Sequence, residues 1–138
     1  MSTVAIPENT QRVICFEIPQ RLLSINQWTG KHWTKKGSYK KQIETLVWAT
    51  CKQQKFEKFH VPVEIDITGY FKDNRRRDID NYSGGSTIKA ILDGLVDANI
   101  ITDDNCKYVE GVRIKLEKDT VNKIKILIKA THGTQTKV

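Results

Sequence analysis

The sequence predicts an α/β domain of the α+β type, in which a mixed β-sheet packs against helices in the order β-α-β-α-β-β. Three observations support this prediction. The chain has 138 residues, enough for one domain with a modest core and too few for two ordinary domains. Four segments are rich in strand-forming residues, and two others repeat apolar residues at helical spacing. We therefore expect residues 1–138 to form a single domain, with 131–138 as a loose polar tail.

The first half of the chain predicts a strand, a long loop and a helix. Residues 12–18 are rich in β-branched and aromatic residues, and Pro19 closes the strand that they predict. Residues 20–37 show no clear period, and loops of this length are usually functional or flexible. Residues 38–54 predict a helix with one apolar stripe. The stripe contains Tyr39, Ile43, Leu46, Val47 and Cys51. Trp48 lies off its centre and is either a packing residue under a loop or a subunit contact.

The second half predicts a strand, a helix and two further strands. Residues 61–71 alternate between apolar and polar side chains, as a half-buried strand does. After a charged loop, residues 87–98 predict an amphipathic helix capped by Ser86 or Thr87, although the helix could begin nearer Asn81. The last two alternating segments contain Val112–Leu116 and Ile124–Ile128, and each predicts a strand. We expect residues 119–122 to join them as a β-hairpin.

The composition excludes several classes of protein. No apolar run approaches the roughly 20 residues that cross a bilayer, and the first residues lack the basic and apolar regions of a secretory signal. The cysteines are Cys15, Cys51 and Cys106, an odd and widely spaced set that argues against a disulfide framework and for a reducing compartment. No Cys or His pair has zinc-ligand spacing. We expect a cytoplasmic protein without a small-molecule cofactor and without contact with a membrane.

The net charge of +7 is unevenly distributed. Residues 78–104 contain six acidic residues and one base, a charge of −5 that leaves +12 for the rest of the chain. A basic body predicts a polyanionic partner, and a compact acidic patch within it predicts a site that needs carboxylates in spite of that partner.

The acidic patch contains two pairs of aspartates, Asp78-x-Asp80 and Asp103-Asp104. The helix between them is about 18 Å long at 1.5 Å per residue, so their convergence is a hypothesis. Two unpaired carboxylates ~4 Å apart repel by about 4 kcal/mol at an effective dielectric of about 20, and either a divalent cation or arginine could offset this. Oxygen ligands without nearby Cys or His favour Mg²⁺ or Mn²⁺. The alternative is that these residues only form turns and cap helices.

The order of these motifs resembles the RusA family of Holliday-junction resolvases. The resemblance rests on Arg75-Arg-Arg-Asp-Ile-Asp-Asn81, then Lys89-Ala-Ile-Leu-Asp-Gly-Leu95 and Asp103-Asp104, with Ser24-Ile-Asn26 upstream. It covers roughly residues 11–130. The segment between Asp80 and Lys89 is longer than in the founding bacterial enzymes and is similar to variants encoded by phages and prophages.

The resemblance implies a small homodimeric endodeoxyribonuclease that acts in DNA recombination and repair. Such enzymes bind four-way junctions and resolve them by paired symmetric nicks, using Mg²⁺, for which Mn²⁺ can substitute. By correspondence with the family motif, Asp78, Asp80 and Asp104 would bind the metal, and Lys89 would join them as a catalytic residue. Lys89 could then face the charge that builds on the scissile phosphate. Asp93, Asp103 and Asn81 are further candidates for the site, and one residue of register decides between Asp103 and Asp104.

Basic residues before the acidic patch predict a surface that binds DNA phosphates. Residues 31–58 alone contain eight lysines and two glutamates. The predicted contacts are Arg75, Arg76, Arg77, Lys31, Lys35, Lys36, Lys40 and Lys41. Each lysine could instead be a solvated side chain. Trp28, Trp33 and Tyr82 lie among these residues and either stack on exposed bases or pack a loop onto the domain.

Two other functions agree with the same residues. A nucleic-acid-binding module without catalysis would use the basic surface and leave the aspartates as helix caps. A nuclease could also act on another branched DNA, such as a flap or a replication fork. The first alternative predicts salt-sensitive binding without cleavage, which separates it from a resolvase.

Overall fold

The computed structural model describes residues 12–24, 33–79, 82 and 86–131, without the side chains of residues 33–36 and 86. The elements within these ranges follow the predicted order: β1 (Val13–Ile18), α1 (Trp33–Gln54), β2 (Val63–Phe71), α2 (Ser86–Asp97), β3 (Val109–Lys118) and β4 (Lys123–Ala130). The first helix begins five residues earlier than the apolar stripe predicted. In the described part of the chain, neither helix is long and apolar enough to cross a membrane.

The four strands form one mixed sheet in the order β1-β4-β2-β3. β4 is antiparallel to both β1 and β2, whereas β2 and β3 are parallel. The hairpin predicted at residues 119–122 is therefore wrong, because β2 lies between the strands that this loop joins. The loop crosses the carboxyl end of β2, where the Asp119 N–H donates to the Phe71 carbonyl at 3.0 Å and the Lys72 N–H donates to Asn122 Oδ1 at 2.9 Å.

Burial explains this strand order. Ile124, Ile126 and Ile128 of β4 are fully buried, as are their register partners on β2, so both strands gain by lying in the centre of the sheet. β3 exposes most of its residues and carries charges on both faces, which is typical of an edge strand. The buried sides of the strands and the apolar stripes of both helices form a single core.

The two helices come into close contact at Gly94 of α2. A β-carbon placed there would lie 2.9 Å from Val47 Cβ and 3.1 Å from the Glu44 carbonyl oxygen of α1. This spacing is closer than real Cβ atoms tolerate, so only glycine allows the two backbones to approach in this way. The approach also places the polar edges of α1 and α2 side by side.

The chain reverses direction directly after α2. The Ile100 N–H donates to the Leu95 carbonyl and the Asn99 N–H to the Val96 carbonyl, both at 2.9 Å, and Asn99 has a φ of 60°. This is a Schellman motif with asparagine in the left-handed position, a conformation that asparagine tolerates better than most residues. Ile100 and Ile101 are then buried, and the following loop runs back along α2.

We expect Gly94→Ala to destabilise the domain by about 1–2 kcal/mol. Overpacking typically costs about 1–3 kcal/mol, and the better helix propensity of alanine offsets up to about 1 kcal/mol. Urea unfolding followed by circular dichroism measures the difference. Because the nearest atom is Val47 Cβ, which only glycine lacks, Gly94→Ala and Val47→Gly together should cost less than the sum of the single changes. Additive effects, or stabilisation by Gly94→Ala, would contradict the close approach of the helices.

Candidate active site

Three of the predicted site residues meet beside the first half of α2. Lys89 is the fourth residue of this helix, and its Nζ lies 3.1 Å from Asp93 Oδ1, one turn further on. The same ammonium donates a hydrogen bond to Asp104 Oδ2. The reversal after α2 thus returns Asp104 to Lys89 in the first turns of the helix.

The contacts continue from α2 to α1. Asp93 Oδ2 accepts a hydrogen bond from Lys40 Nζ at 3.0 Å, and Lys40 also pairs with Glu44. We refer to Asp104, Lys89, Asp93, Lys40 and Glu44 as the ion-pair chain. Its charges alternate in sign, and it ties the loop after α2 to both helices. Lys40, predicted as a DNA contact, has its ammonium engaged with two carboxylates.

Hydrogen bonds within the ion-pair chain shift the pKa values of Asp104, Lys89 and Lys40 in the direction that keeps these groups charged. The hydrogen bond from Lys89 lowers the pKa of the Asp104 carboxyl. The same bond, followed by the one to Asp93, raises the pKa of Lys89. Hydrogen bonds to Glu44 and then to Asp93 raise the pKa of Lys40. Asp104 is therefore an anion, and Lys89 a cation, throughout the neutral range.

Asp103 has a different environment from Asp104. Its Oδ1 accepts the Asp104 backbone N–H at 2.8 Å, and its Oδ2 accepts Asn105 Nδ2 at 3.3 Å. Both carboxylate oxygens are thus engaged within the turn, whereas the Asp104 carboxylate faces the Lys89 ammonium. This difference favours Asp104 over Asp103 as the residue available to a metal or a substrate.

A second predicted segment, residues 72–79, leaves the end of β2 as a loop held by Arg77. The guanidinium of Arg77 lies 3.8 Å from the centroid of the Phe71 ring, and its Nη2 is 2.6 Å from Asp73 Oδ1. Its Nη1 donates to the Arg75 carbonyl at 3.1 Å. With only 11% of its side chain exposed, Arg77 holds the loop in shape, whereas the sequence had suggested a phosphate contact.

Arg76 and Asp78 point away from this scaffold. Arg76 Nε lies 3.6 Å from Asp78 Oδ1, and 91% of the Arg76 side chain is exposed. Tyr82 is buried and packs edge-on against Phe71, with ring centroids 5.7 Å apart. Of the two interpretations of Tyr82 that the sequence left open, packing is therefore confirmed. Arg76 remains accessible to a phosphate.

Several predicted residues lie outside the described part of the chain. They are Asp80, Asn81, Lys31 and Trp28, together with the side chains of Lys35, Lys36 and Trp33. Lys41 is described and exposed, in a groove of about 280 Å³ that it lines with Trp48. Trp48 itself is 46% exposed, which disfavours its interpretation as a packing residue.

The donor chemistry of this region fits a hard divalent cation. Asp104 presents a partly exposed carboxylate, and carboxylate oxygens are the donors that hard divalent cations prefer. The described part of the chain does not include Asp80. Within it, no three His, Cys, Asp or Glu side chains are placed to hold a metal together. The site formed by Asp78, Asp80 and Asp104 stays a prediction.

Two structural contacts near the site were not predicted from the sequence. Glu44 pairs with Lys40 one helical turn before it, and this spacing is that of an i, i+4 ion pair. Asp73 begins a turn by accepting the Arg75 N–H at 3.1 Å, and Lys72-Asp-Asn is a typical turn sequence. The contact between Lys40 and Asp93 left no local signal, because 53 residues separate them.

Asp73→Asn is expected to reduce the loss of stability in acid. Hydrogen bonds from Arg77 and then from the Arg75 N–H lower the pKa of Asp73 from its ordinary 3.8. A carboxylate whose pKa is lower in the folded state adds stability above its unfolded pKa and loses it as the pH falls through the folded value. Melting temperatures from about pH 5 downwards should therefore fall more steeply for the wild type than for Asp73→Asn. Asp97→Asn, which removes an exposed carboxylate from α2, is the control. Parallel curves for Asp73→Asn and the wild type would show that the Arg77 contact does not form.

A family model described as "Endodeoxyribonuclease RusA" matches residues 20–129, most of the chain, including both helices, β2, β3 and all of β4 except its last residue. A search of curated proteins gave no match.

Proposed function

The chain belongs to the RusA family of endodeoxyribonucleases, and from this premise we propose that it resolves four-way DNA junctions by paired symmetric nicks with Mg²⁺ as cofactor. The observation that carries the proposal is the contact between Lys89 and Asp104 at the partly exposed edge of α2. It joins two residues that the family motif assigns to one catalytic site and that lie fifteen positions apart.

The proposed chemistry is hydrolysis of a phosphodiester. Asp78, Asp80 and Asp104 would hold Mg²⁺, which when bound supplies a polarising charge at the phosphate and an acidic water. Lys89 would place its ammonium near the phosphate oxygens and stabilise the negative charge that builds there in the transition state. Its raised pKa keeps the ammonium charged at neutral pH, as this role requires.

Recognition of the junction would rest on charge and symmetry. The excess of 23 basic over 16 acidic residues attracts phosphates, and exposed side chains such as Arg76 and Lys41 are free to reach them. A two-fold homodimer would present two equivalent sites to two opposing strands, so that symmetric nicking follows from the symmetry of the protein. We place this activity in DNA recombination and repair in the cytoplasm.

The decisive experiment is cleavage of a synthetic four-way junction by the wild type and by Asp80→Asn. We expect paired nicks with Mg²⁺ or Mn²⁺ by the wild type, and no nicks by the variant although it still binds the junction. Flap and fork substrates in parallel reactions establish whether the junction is preferred. A wild type that never cuts, or a variant that cuts equally well, would refute the proposal.

A DNA-binding module without catalysis is the second candidate. One observation favours it: the Asp104 carboxylate is already neutralised by Lys89, as in a purely structural ion pair. Such a module would bind junctions in a salt-sensitive manner without cutting them. It would also melt at the same temperature with and without Mg²⁺, since only a ligand that binds the folded state raises stability.

Arg76→Gln is expected to weaken junction binding without affecting the fold. Its side chain is almost fully exposed, so its loss should remove about one phosphate contact and reduce the slope of log K against log salt by about 1. Arg77→Gln is the matched comparison, and it should lower the melting temperature because Arg77 packs on Phe71. Fluorescence anisotropy at several salt concentrations measures the slope. An unchanged slope in Arg76→Gln would exclude it from the DNA-binding surface.

A further inference from the structure

The Lys89 ammonium pairs with Asp104, one of the three carboxylates that the family motif assigns to the metal. It contacts Asp104 Oδ2 and at the same time lies 3.1 Å from Asp93 Oδ1. The lysine side chain is 55% exposed, and those of Asp104 and Asp93 are 24% and 28% exposed. Lys89 thus has two acceptors within reach, and only one of them belongs to the predicted metal site.

We propose that Lys89 is a built-in counter-cation that competes with the divalent cation for Asp104, and that Asp93 is the positioning residue that retains the displaced ammonium. This inference rests on the proposed function, because it concerns the same site. It assigns Asp93 a role that its correspondence with the family motif left open. Lys89 pairs with both Asp104 and Asp93 in the structure, and it would keep only the contact with Asp93 once a metal is bound to Asp104.

Electrostatics explains why the two cations exclude each other. A lysine ammonium and a divalent cation repel, so both cannot sit against the same carboxylate oxygen. The ammonium has three donors on a flexible four-carbon stem, and it can leave Asp104 while keeping its hydrogen bond to Asp93. The exchange therefore requires a rotation of one side chain and no change in α2.

Lys40 makes Asp93 a fixed acceptor. The second oxygen of Asp93 accepts Lys40 Nζ at 3.0 Å, and Lys40 is held in turn by Glu44, both on α1. Asp93 is thus held from the opposite helix, on the oxygen that Lys89 does not use. The displaced ammonium would stay beside the metal, where it faces the substrate phosphate.

The exchange also has a consequence for DNA binding. An acidic site without its metal would repel the phosphates that the basic body attracts. With Lys89 against Asp104, part of that negative charge is neutralised before the metal arrives. When a divalent cation is bound, its charge would neutralise Asp104 instead, and the Lys89 ammonium would be free to face the substrate phosphate.

Titration calorimetry with Mn²⁺, without DNA, tests the competition directly. Lys89→Met removes the competitor and is expected to bind Mn²⁺ about two- to fivefold more tightly than the wild type, the range that a solvent-exposed ion pair supports. Lys89→Gln, which keeps a hydrogen-bonding group without the charge, should behave in the same way. Lys107→Met is the matched control. Lys107 lies in the same loop as Asp104, is exposed and contacts the Tyr108 ring. It should change Mn²⁺ affinity much less than Lys89→Met.

A double-mutant cycle tests the role of Asp93. Asp93→Asn should weaken Mn²⁺ binding in the wild-type background, since the ammonium loses its alternative acceptor and stays on Asp104. In the Lys89→Met background the same change should have at least about twofold less effect. The inference would be overturned if Lys89→Met and Lys107→Met raised the Mn²⁺ affinity equally. It would also be overturned if Asp93→Asn changed that affinity equally in both backgrounds.

The outcomes distinguish this inference from the proposed function. Metal competition without junction cleavage by the wild type would refute the function and keep the exchange between Lys89 and Mn²⁺. Junction cleavage with no difference between Lys89→Met and Lys107→Met would refute the exchange alone. Undetectable Mn²⁺ binding by both the wild type and Lys89→Met would refute the exchange as well.

Discussion

Asp104→Asn is expected to reduce the rate of junction cleavage by at least about a hundredfold. Changing a residue that only hydrogen-bonds to a metal ligand typically costs up to about a hundredfold, and a direct ligand should cost at least as much. Asparagine has nearly the same shape and can still accept a hydrogen bond from Lys89, so the turn after α2 should persist. The substitution removes the negative charge that would bind Mg²⁺ and orient the Lys89 ammonium. Single-turnover cleavage of a synthetic four-way junction at saturating Mg²⁺ measures the effect.

Asp103→Asn is the matched control for this prediction. Asp103 accepts hydrogen bonds from the Asp104 N–H and from Asn105, so its substitution should cost about 1 kcal/mol of stability and less than about tenfold in rate. Junction binding by both variants should be close to that of the wild type. If Asp103→Asn loses as much activity as Asp104→Asn, the assignment of the two residues is wrong.

Ile126→Ala is expected to have the largest effect on stability, a loss of about 2–5 kcal/mol. Ile126 is fully buried in the central strand β4, between Phe16 of β1 and Ile67 of β2 in the register of the sheet. Truncation would leave a cavity that strands on both sides hold open. Urea unfolding at neutral pH measures the difference, and an unchanged m-value would show that the variant still folds in the same way.

Two neighbouring substitutions make this a test of the strand order. Leu127→Ala changes the adjacent residue on the half-buried opposite face, and Val112→Ala changes an exposed position on the edge strand β3. We expect each to cost less than about 1.5 kcal/mol, because less apolar area is lost from the interior. A hairpin of β3 and β4 at the edge of the sheet would instead make Ile126→Ala and Val112→Ala comparable.

The sequence predicted which segments fold and which of their faces are buried. Alternation in residues 61–71 and helical spacing in residues 87–98 led to β2 and α2 within two residues of their observed ends. These patterns are local, because the pleat of a strand and the turn of a helix fix the period at which side chains face the core. The first helix begins at Trp33, five residues earlier than the apolar spacing predicted.

The strand order could not be predicted in the same way. A four-residue loop between two alternating segments is typical of a hairpin, and nothing local to residues 119–122 shows that another strand lies between them. What decides the order is the burial of β2 and β4 together, which depends on segments some 60 residues apart in the chain. Propensity and periodicity contain no information on such pairings.

For the candidate site, the sequence by itself determined the set of residues: the acidic patch, its one lysine and the family motif that contains them. Only the tertiary structure decided which of them meet. The Schellman turn at Asn99 returns Asp104 to Lys89, and the glycine contact between the helices brings Lys40 of α1 to Asp93 of α2. The physical reason is that charge and residue type belong to the sequence, whereas the distance between two charges depends on how the backbone packs. The strength of their interaction depends on that distance.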